Sequence, residues 1–197
     1  ETAQKLFKIK PRIIPQGNWR HIYLPSPYRL ARGKHHPIIN WFSRLGIKKG
    51  DRVCISLANC PEFLYIWLGL SHIGGIMVPI NVAFKEKEAI YIIKHSECIA
   101  LVGYEETLEI TAQARQSLSF LKHVISIEDK TASRGILDFS SFKQEDSELK
   151  ISVDVNDSDI SSIMYTSGTT GPPKGVMVTH RAYVCCGQGY TYWANIT

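Results

Sequence analysis

The sequence predicts an α/β layered fold in which parallel strands are joined by helical crossovers. Three observations carry that prediction. Short apolar strands alternate with amphipathic helices between residues 38 and 127, glycines or polar turns separate them, and the composition is that of a globular chain. Of 197 residues, 44% are hydrophobic and 21% charged. That balance excludes a disordered, coiled-coil or collagen-like chain and is enough to bury one good-sized core.

The elements follow in order. Residues 1–37 form a basic segment punctuated by Pro11, Pro15, Pro25, Pro27 and Pro37. Ile38, Trp41, Phe42 and Leu45 then keep helical spacing until Gly46. Arg52–Leu57 reads as a strand. A helix over Phe63–His72 is expected next, with Asn59 as cap, Pro61 near its first turn and Gly74-Gly75 at its end. Ile76–Ile80 is the second strand. Lys85–His95 is a helix facing inward through Ile90, Ile92 and Ile93. Cys98–Val102 is a strand, Thr107–Leu121 a helix, and His123–Ile127 another strand. Such spacing implies right-handed crossovers. Residues 128–157 lose apolar content and read as a surface excursion, after which Ile160–Tyr165 forms a short strand.

The longest apolar-rich run, Phe63–Val78, spans 16 residues and is interrupted by Ser71, His72, Gly74 and Gly75. A membrane span needs roughly 20 apolar residues, so this run reads as a core helix entering a strand. No basic-then-apolar leader follows Glu1, and a cytoplasmic protein is the expectation. The five cysteines have no CxxC spacing and read as reduced structural thiols. The net charge of +5 is uneven: residues 1–50 hold eleven Lys or Arg against Glu1 alone, a net +10, and the remainder carries a net −5. A basic arm can serve an anionic surface, but no nucleic-acid motif accompanies it and none is expected as partner.

The chemistry concentrates after the last strand, in Tyr165-Thr166-Ser167-Gly168-Thr169-Thr170-Gly171-Pro172-Pro173-Lys174-Gly175. Four hydroxyls fall within five positions, three glycines within eight, and one lysine follows two prolines. Glycines let backbone N–H groups approach an anion, hydroxyls add donors, and the lysine adds a point charge. Hydrogen bonds to charged groups contribute about 1.5–3 kcal/mol each, so a few would hold a polyphosphate. The segment is not a Walker loop, because Pro173 stands where that motif needs glycine before the lysine. Read from composition alone, a Gly/Thr-rich hairpin turn explains it as well.

Tyr165–Val176 resembles the phosphate-loop signature of the AMP-forming acyl-adenylating superfamily. That superfamily includes acyl-CoA synthetases, luciferases and peptide-synthetase adenylation domains. Leu45–Val53, Asn59–Phe63 and Met77–Asn81 independently resemble the opening βα units of its large N-terminal domain. The likeness covers about residues 38–184, and Leu45–Asn81 looks most like ligases for carnitine-type betaines and short or medium acids.

The resemblance implies a mostly parallel sheet with helices on both faces, forming part of the family's N-terminal domain over residues 38–197, with the phosphate loop at 165–175. It implies an ATP-dependent acid–CoA ligase whose substrates are a carboxylic acid, ATP with Mg2+, and coenzyme A. Thr166, Ser167, Gly168, Thr169, Thr170, Gly171 and Lys174 match the positions that hold the ATP phosphates, and Thr166 matches the one whose hydroxyl approaches magnesium. The family's adenine-reading motif, ribose-binding Asp, hinge and catalytic Lys have no counterpart in these residues, so no catalytic residue is expected here and the 197 residues alone should be inactive. The alternatives are a product that binds polyphosphate or a partner without catalysis, and an adenylation domain loading a carrier protein. A homo-oligomer is a further expectation.

Other side chains carry a plainer reading. His180 matches a family position but reads first as structural, and the other six histidines show no partner at a telling spacing. Trp67 reads as core. Ala182-Tyr183 stands where many members of the family have Asn followed by a hydrophobe.

Overall fold

The computed structural model describes residues 37–113, 117–128, 135–144, 153–166 and 171–193. Of the basic segment 1–37, all but Pro37 lies outside them. A seven-stranded sheet organises the chain in the order β5-β4-β3-β1-β2-β6-β7. In chain order the strands are β1 (Arg52–Ser56), β2 (Ile76–Pro79), β3 (Ala100–Gly103), β4 (His123–Ser126), β5 (Leu137–Asp138), β6 (Ile160–Thr166) and β7 (Lys174–Thr179). The helices are α1 (Pro37–Arg44), α2 (Pro61–Ile73), α3 (Glu86–His95), α4 (Glu105–Gln113) and α5 (His180–Trp193), with a 3-10 turn at Phe139–Gln144. Every strand pair is parallel except β6 with β7, which form an antiparallel hairpin.

Strand alternation divides the core in two. Val53, Ile55, Met77, Ala100, Val102 and Ile125 face α1, α2 and the 3-10 turn. Cys54, Val78, Leu101 and Val124 face α3 and α4 on the other side. Helices therefore cover both faces, as strands buried on both sides require. The direction of winding also fits right-handed crossovers. The chain moves from β1 to β2 through α2 on one face, then reverses to β3 through α3 on the opposite face.

Several boundaries differ from the sequence reading. Cys60, not Asn59, is the N-cap of α2, in extended conformation and without a side-chain bond, so Pro61 rather than a cap sets the helix start. Gly74 ends α2 as expected, at φ 72°, with its N–H bonded to the Leu70 carbonyl. Helix α3 buries Ala89, Ile92 and Ile93, leaving Ile90 only half-buried. Glu88 accepts from the Lys85 N–H at 3.0 Å and fixes its first turn. β3 begins at Ala100 rather than Cys98.

Helix α4 starts at Glu105, two residues before the expected Thr107, and is described as far as Gln113, while residues 118–121, expected to be its last turn, are not helical. Glu105 and Glu106 in its first turn favour that start through the helix dipole. The excursion over 128–157 is more than surface. It supplies β5, and Phe139 and Phe142 enter the core, with Phe139 edge-on to Trp41 at 5.8 Å.

At the amino edge, Lys49 Nζ lies 2.6 Å from Asp159 Oδ2 and donates to the Asp154 carbonyl at 2.8 Å. The His180 N–H donates to the Asp159 carbonyl at 3.1 Å, and its side chain is buried. Burial holds the His180 ring below the usual histidine pKa, Asp159 pulls it back up, and Lys49 lowers it. Asp159 is held below its ordinary range, first by the hydrogen bond from Lys49.

Two predictions follow from the packing. Gly69 lies where α1 crosses α2, and a Cβ there would stand 2.9 Å from Ile38 Cγ2 and 3.2 Å from Phe42. Gly→Ala within a helix ordinarily stabilises by up to ~1 kcal/mol. Here overpacking, which costs about 1–3 kcal/mol, outweighs it. Gly69→Ala should lower the urea midpoint, and a raised midpoint would show that α1 yields freely.

The second concerns pH. Because the folded-state pKa of His180 lies below the unfolded value of 6.5, its contribution to stability is complete above that value and is lost as pH falls through the window beneath it. The Asp159 contribution is lost only further down, below 3.8. Wild type should therefore lose more stability between pH 7.5 and 5.5 than His180→Gln. Parallel denaturation curves for the two proteins would assign the loss to other groups.

Candidate functional site

Six parallel strands share one carboxyl edge, the side on which open α/β sheets take ligands. β6 reaches that edge because it lies parallel to β2, with Met77 opposite Ser162. Its last residue, Thr166, pairs with Lys174, the first residue of β7. Both are exposed. The hydroxyl and ammonium side chains thus stand on adjacent strands at the mouth of the connection over 167–173. Gly171 and Pro172 in that connection are exposed as well. Ser167, Gly168, Thr169 and Thr170 lie outside the described residues. The hairpin reading and the anion-loop reading are therefore compatible: β6 and β7 form a hairpin whose connection lies at the carboxyl edge of the sheet.

The base of the hairpin is held from both faces of the sheet. On one face, Ser161 and Ser162 are buried, and Ser162 Oγ is hydrogen-bonded to Tyr183 Oη at 2.8 Å. Tyr183 also packs on Trp67 at 5.0 Å, so the half-buried Trp67 joins α2 to α5. Of the pair Ala182-Tyr183, where the sequence departs from the family pattern, Tyr183 is thus an anchor of α5 on β6. On the other face, Tyr165 Oη and His95 Nδ1 are hydrogen-bonded at 2.7 Å. Tyr91 stacks on His95 at 5.5 Å and donates from its hydroxyl to the Pro173 carbonyl at 3.3 Å. Burial raises the pKa of the Tyr165 phenol, which favours the neutral, hydrogen-bonding form.

Sequence reasoning missed this second group, because it found no partner for His95. The partner, Tyr165, is 70 residues away. The only local signal is that Tyr91 and His95 are four apart and share one face of α3. Gly175, grouped by sequence with the phosphate-approaching glycines, has a packing role in the structure. A Cβ there would stand 2.8 Å from Ile163 Cγ2 and 3.2 Å from Tyr165 Cζ, so its absence admits the Tyr165 ring.

The structure separates His180 from the loop. β7 runs six residues from Lys174 to Thr179, or ~20 Å at strand rise, before His180 opens α5. Thr179 Oγ1 accepts from the Ala182 N–H at 3.2 Å, as an N-cap does. His180 belongs to the amino-edge cluster with Asp159, in keeping with its structural reading.

Comparison with known proteins places this hairpin in a family. A family model described as AMP-binding enzyme matches residues 34–195. A crotonobetaine/carnitine–CoA ligase of Escherichia coli O1:K1 / APEC is 39% identical over 144 residues, 72% of this chain. The corresponding ligase of Salmonella enteritidis PT4 is 40% identical over 144 residues. The chain spans 28% of the length of each of these relatives. Among solved structures, the anthranilate CoA ligase AuaEII in complex with anthranoyl-AMP superposes with a TM-score of 0.73 at 27% identity, over 78% of this chain and 29% of that one. A Brucella canis acyl-CoA synthetase gives 0.68 at 27% identity, over 79% and 28%. The chain belongs to the AMP-binding enzyme family.

Proposed function

We propose that this chain is the N-terminal portion of an ATP-dependent acid–CoA ligase and that its 165–175 hairpin binds the ATP phosphates. The single observation that carries the reading is the placement of Thr166 and Lys174, paired and exposed at the carboxyl edge of the parallel sheet. An acceptor-rich polyphosphate needs donors and positive charge. The hydroxyls of Thr166, Ser167, Thr169 and Thr170, the backbone N–H groups freed by Gly168 and Gly171, and the Lys174 ammonium fit that need.

The reaction proposed has two steps. A carboxylate oxygen attacks the α-phosphorus of ATP and the bond to the β-phosphate oxygen breaks, giving an acyl-adenylate and pyrophosphate. The coenzyme A thiol, losing its proton, then attacks the acyl carbonyl and AMP leaves, giving the thioester. In the first step charge accumulates on the departing pyrophosphate. Lys174 lowers that cost as a fixed cation, and the loop donors hold the group in line for attack. Magnesium bound with the nucleotide supplies further charge neutralisation, and Thr166 is the residue of this chain proposed to approach it.

The likeness to crotonobetaine/carnitine–CoA ligases supports a betaine-type carboxylic acid as substrate. A cytoplasmic, reducing location belongs to the same reading. Cys54, Cys60, Cys98, Cys185 and Cys186 are all free thiols, and burial raises the pKa of Cys54, leaving it inert.

In the complete protein, Lys174→Ala should slow thioester formation by about 10²–10³-fold, the range for loss of one charge-stabilising group. Because Lys174 is exposed, stability should change by no more than about 0.5 kcal/mol. Matching losses of rate and stability would instead give the lysine a folding role. The isolated 197 residues should form no acyl-adenylate, and detecting any would contradict the division of the site proposed here.

A further inference from the structure

We propose that Tyr91, His95 and Tyr165 form a positioning brace through which helix α3 fixes both legs of the phosphate loop. The inference rests on the reading of that loop as the ATP-phosphate site. Tyr165 immediately precedes Thr166 on the entering leg, and Pro173 immediately precedes Lys174 on the leaving leg. The strand ladder ends at the Thr166–Lys174 pair. Beyond that rung, the bond from Tyr91 Oη to the Pro173 carbonyl ties the leaving leg to the body of the protein. The entering leg is tied by the bond between Tyr165 and His95, whose ring stands edge-on to Tyr165 at 5.8 Å.

The two ties share one support. Tyr91 and His95 lie one turn apart on α3, their rings inclined by 23° and 5.5 Å apart. Helix α3 is itself docked on the sheet through Ala89, Ile92 and Ile93. Gly175 completes the arrangement by leaving room for the Tyr165 ring against β7.

The brace works from behind. Side chains alternate across a strand, so Thr166 and Lys174 project from the face opposite Tyr165. Tyr91, His95 and Tyr165 therefore act through Thr166 and Lys174, which makes them positioning residues. Proline rigidity at 172–173 would carry the constraint from the Tyr91 contact to Lys174 with little loss. Packing alone would need only the rings. The brace needs the hydroxyl of Tyr91, and that difference is testable.

Tyr91→Phe keeps the stack and removes the bond to Pro173. In the complete protein without nucleotide, amide hydrogen exchange over residues 171–176 should quicken by ~5–10-fold, with the melting temperature nearly unchanged, as expected for one lost hydrogen bond. The KM for ATP should rise by a similar factor while the KM for the carboxylate stays put, and Tyr165→Phe should act alike through residues 165–167. Exchange and ATP KM equal to wild type in Tyr91→Phe would overturn the brace. Faster exchange with an unchanged ATP KM would also overturn it as a positioning device. If wild type shows no ATP dependence, the ligase reading fails on its own account. The exchange result then still decides the brace: faster supports it, equal overturns it.

Discussion

The pairing of β6 with β2 is the contact on which the candidate site depends. Parallel strands all present their carboxyl ends to one edge, so adding β6 in that sense, and not antiparallel, delivers Thr166 to the carboxyl edge. The hairpin that follows then must turn back there. In the proposed reading its residues meet two opposed demands, since a loop that wraps an anion needs backbone freedom and a site that acts on one geometry needs rigidity. The chain separates these demands in space. Glycines and hydroxyls occupy the turn, while the strands beneath it are fixed by Ser162–Tyr183 on one face and Tyr165–His95 on the other.

The same economy runs through the amino edge. Lys49, from the turn before β1, meets Asp159, just before β6, across 110 positions of sequence. An exposed ion pair of this kind contributes little alone, about 0–1 kcal/mol. Its place matters more than its energy. With the backbone bond from His180 to Asp159, it holds both ends of the hairpin's base against the body of the sheet. Charge is thus used for registration at the amino edge and, in the proposed reading, for ligand binding at the carboxyl edge.

Much of the fold is legible in the sequence because its strands are short, apolar and bounded by glycine or polar turns. β1, β2, β4 and β6 start where the pattern puts them, and α2 closes at Gly74 for the steric reason the sequence implies. What escapes is set by long-range contact. Phe139 and Phe142 sit in a polar stretch and become core only because Trp41 and Tyr65 receive them. The start of α4 escapes because the acidic first turn that defines it, Glu105-Glu106, is a weaker signal than apolar spacing. At the site, the residue types of 165–175 fit a hairpin turn as well as an anion loop, and only the likeness of the whole run to the family signature favours the second. The support from Tyr91 and His95 is silent until the fold brings α3 against β6. Gly175 shows the same limit: a glycine in a loop reads as room for a ligand, and here the room is taken by a tyrosine ring.

The measurement that tests the central claim most directly is carboxylate-dependent exchange of labelled pyrophosphate into ATP by the complete protein. A panel of betaine-type, short-chain and medium-chain acids should be offered without coenzyme A. The account predicts that label enters ATP only when a suitable acid is present, because only reversal of adenylation returns pyrophosphate to the nucleotide. ATP binding without exchange for any acid, or exchange that needs no acid, would contradict it.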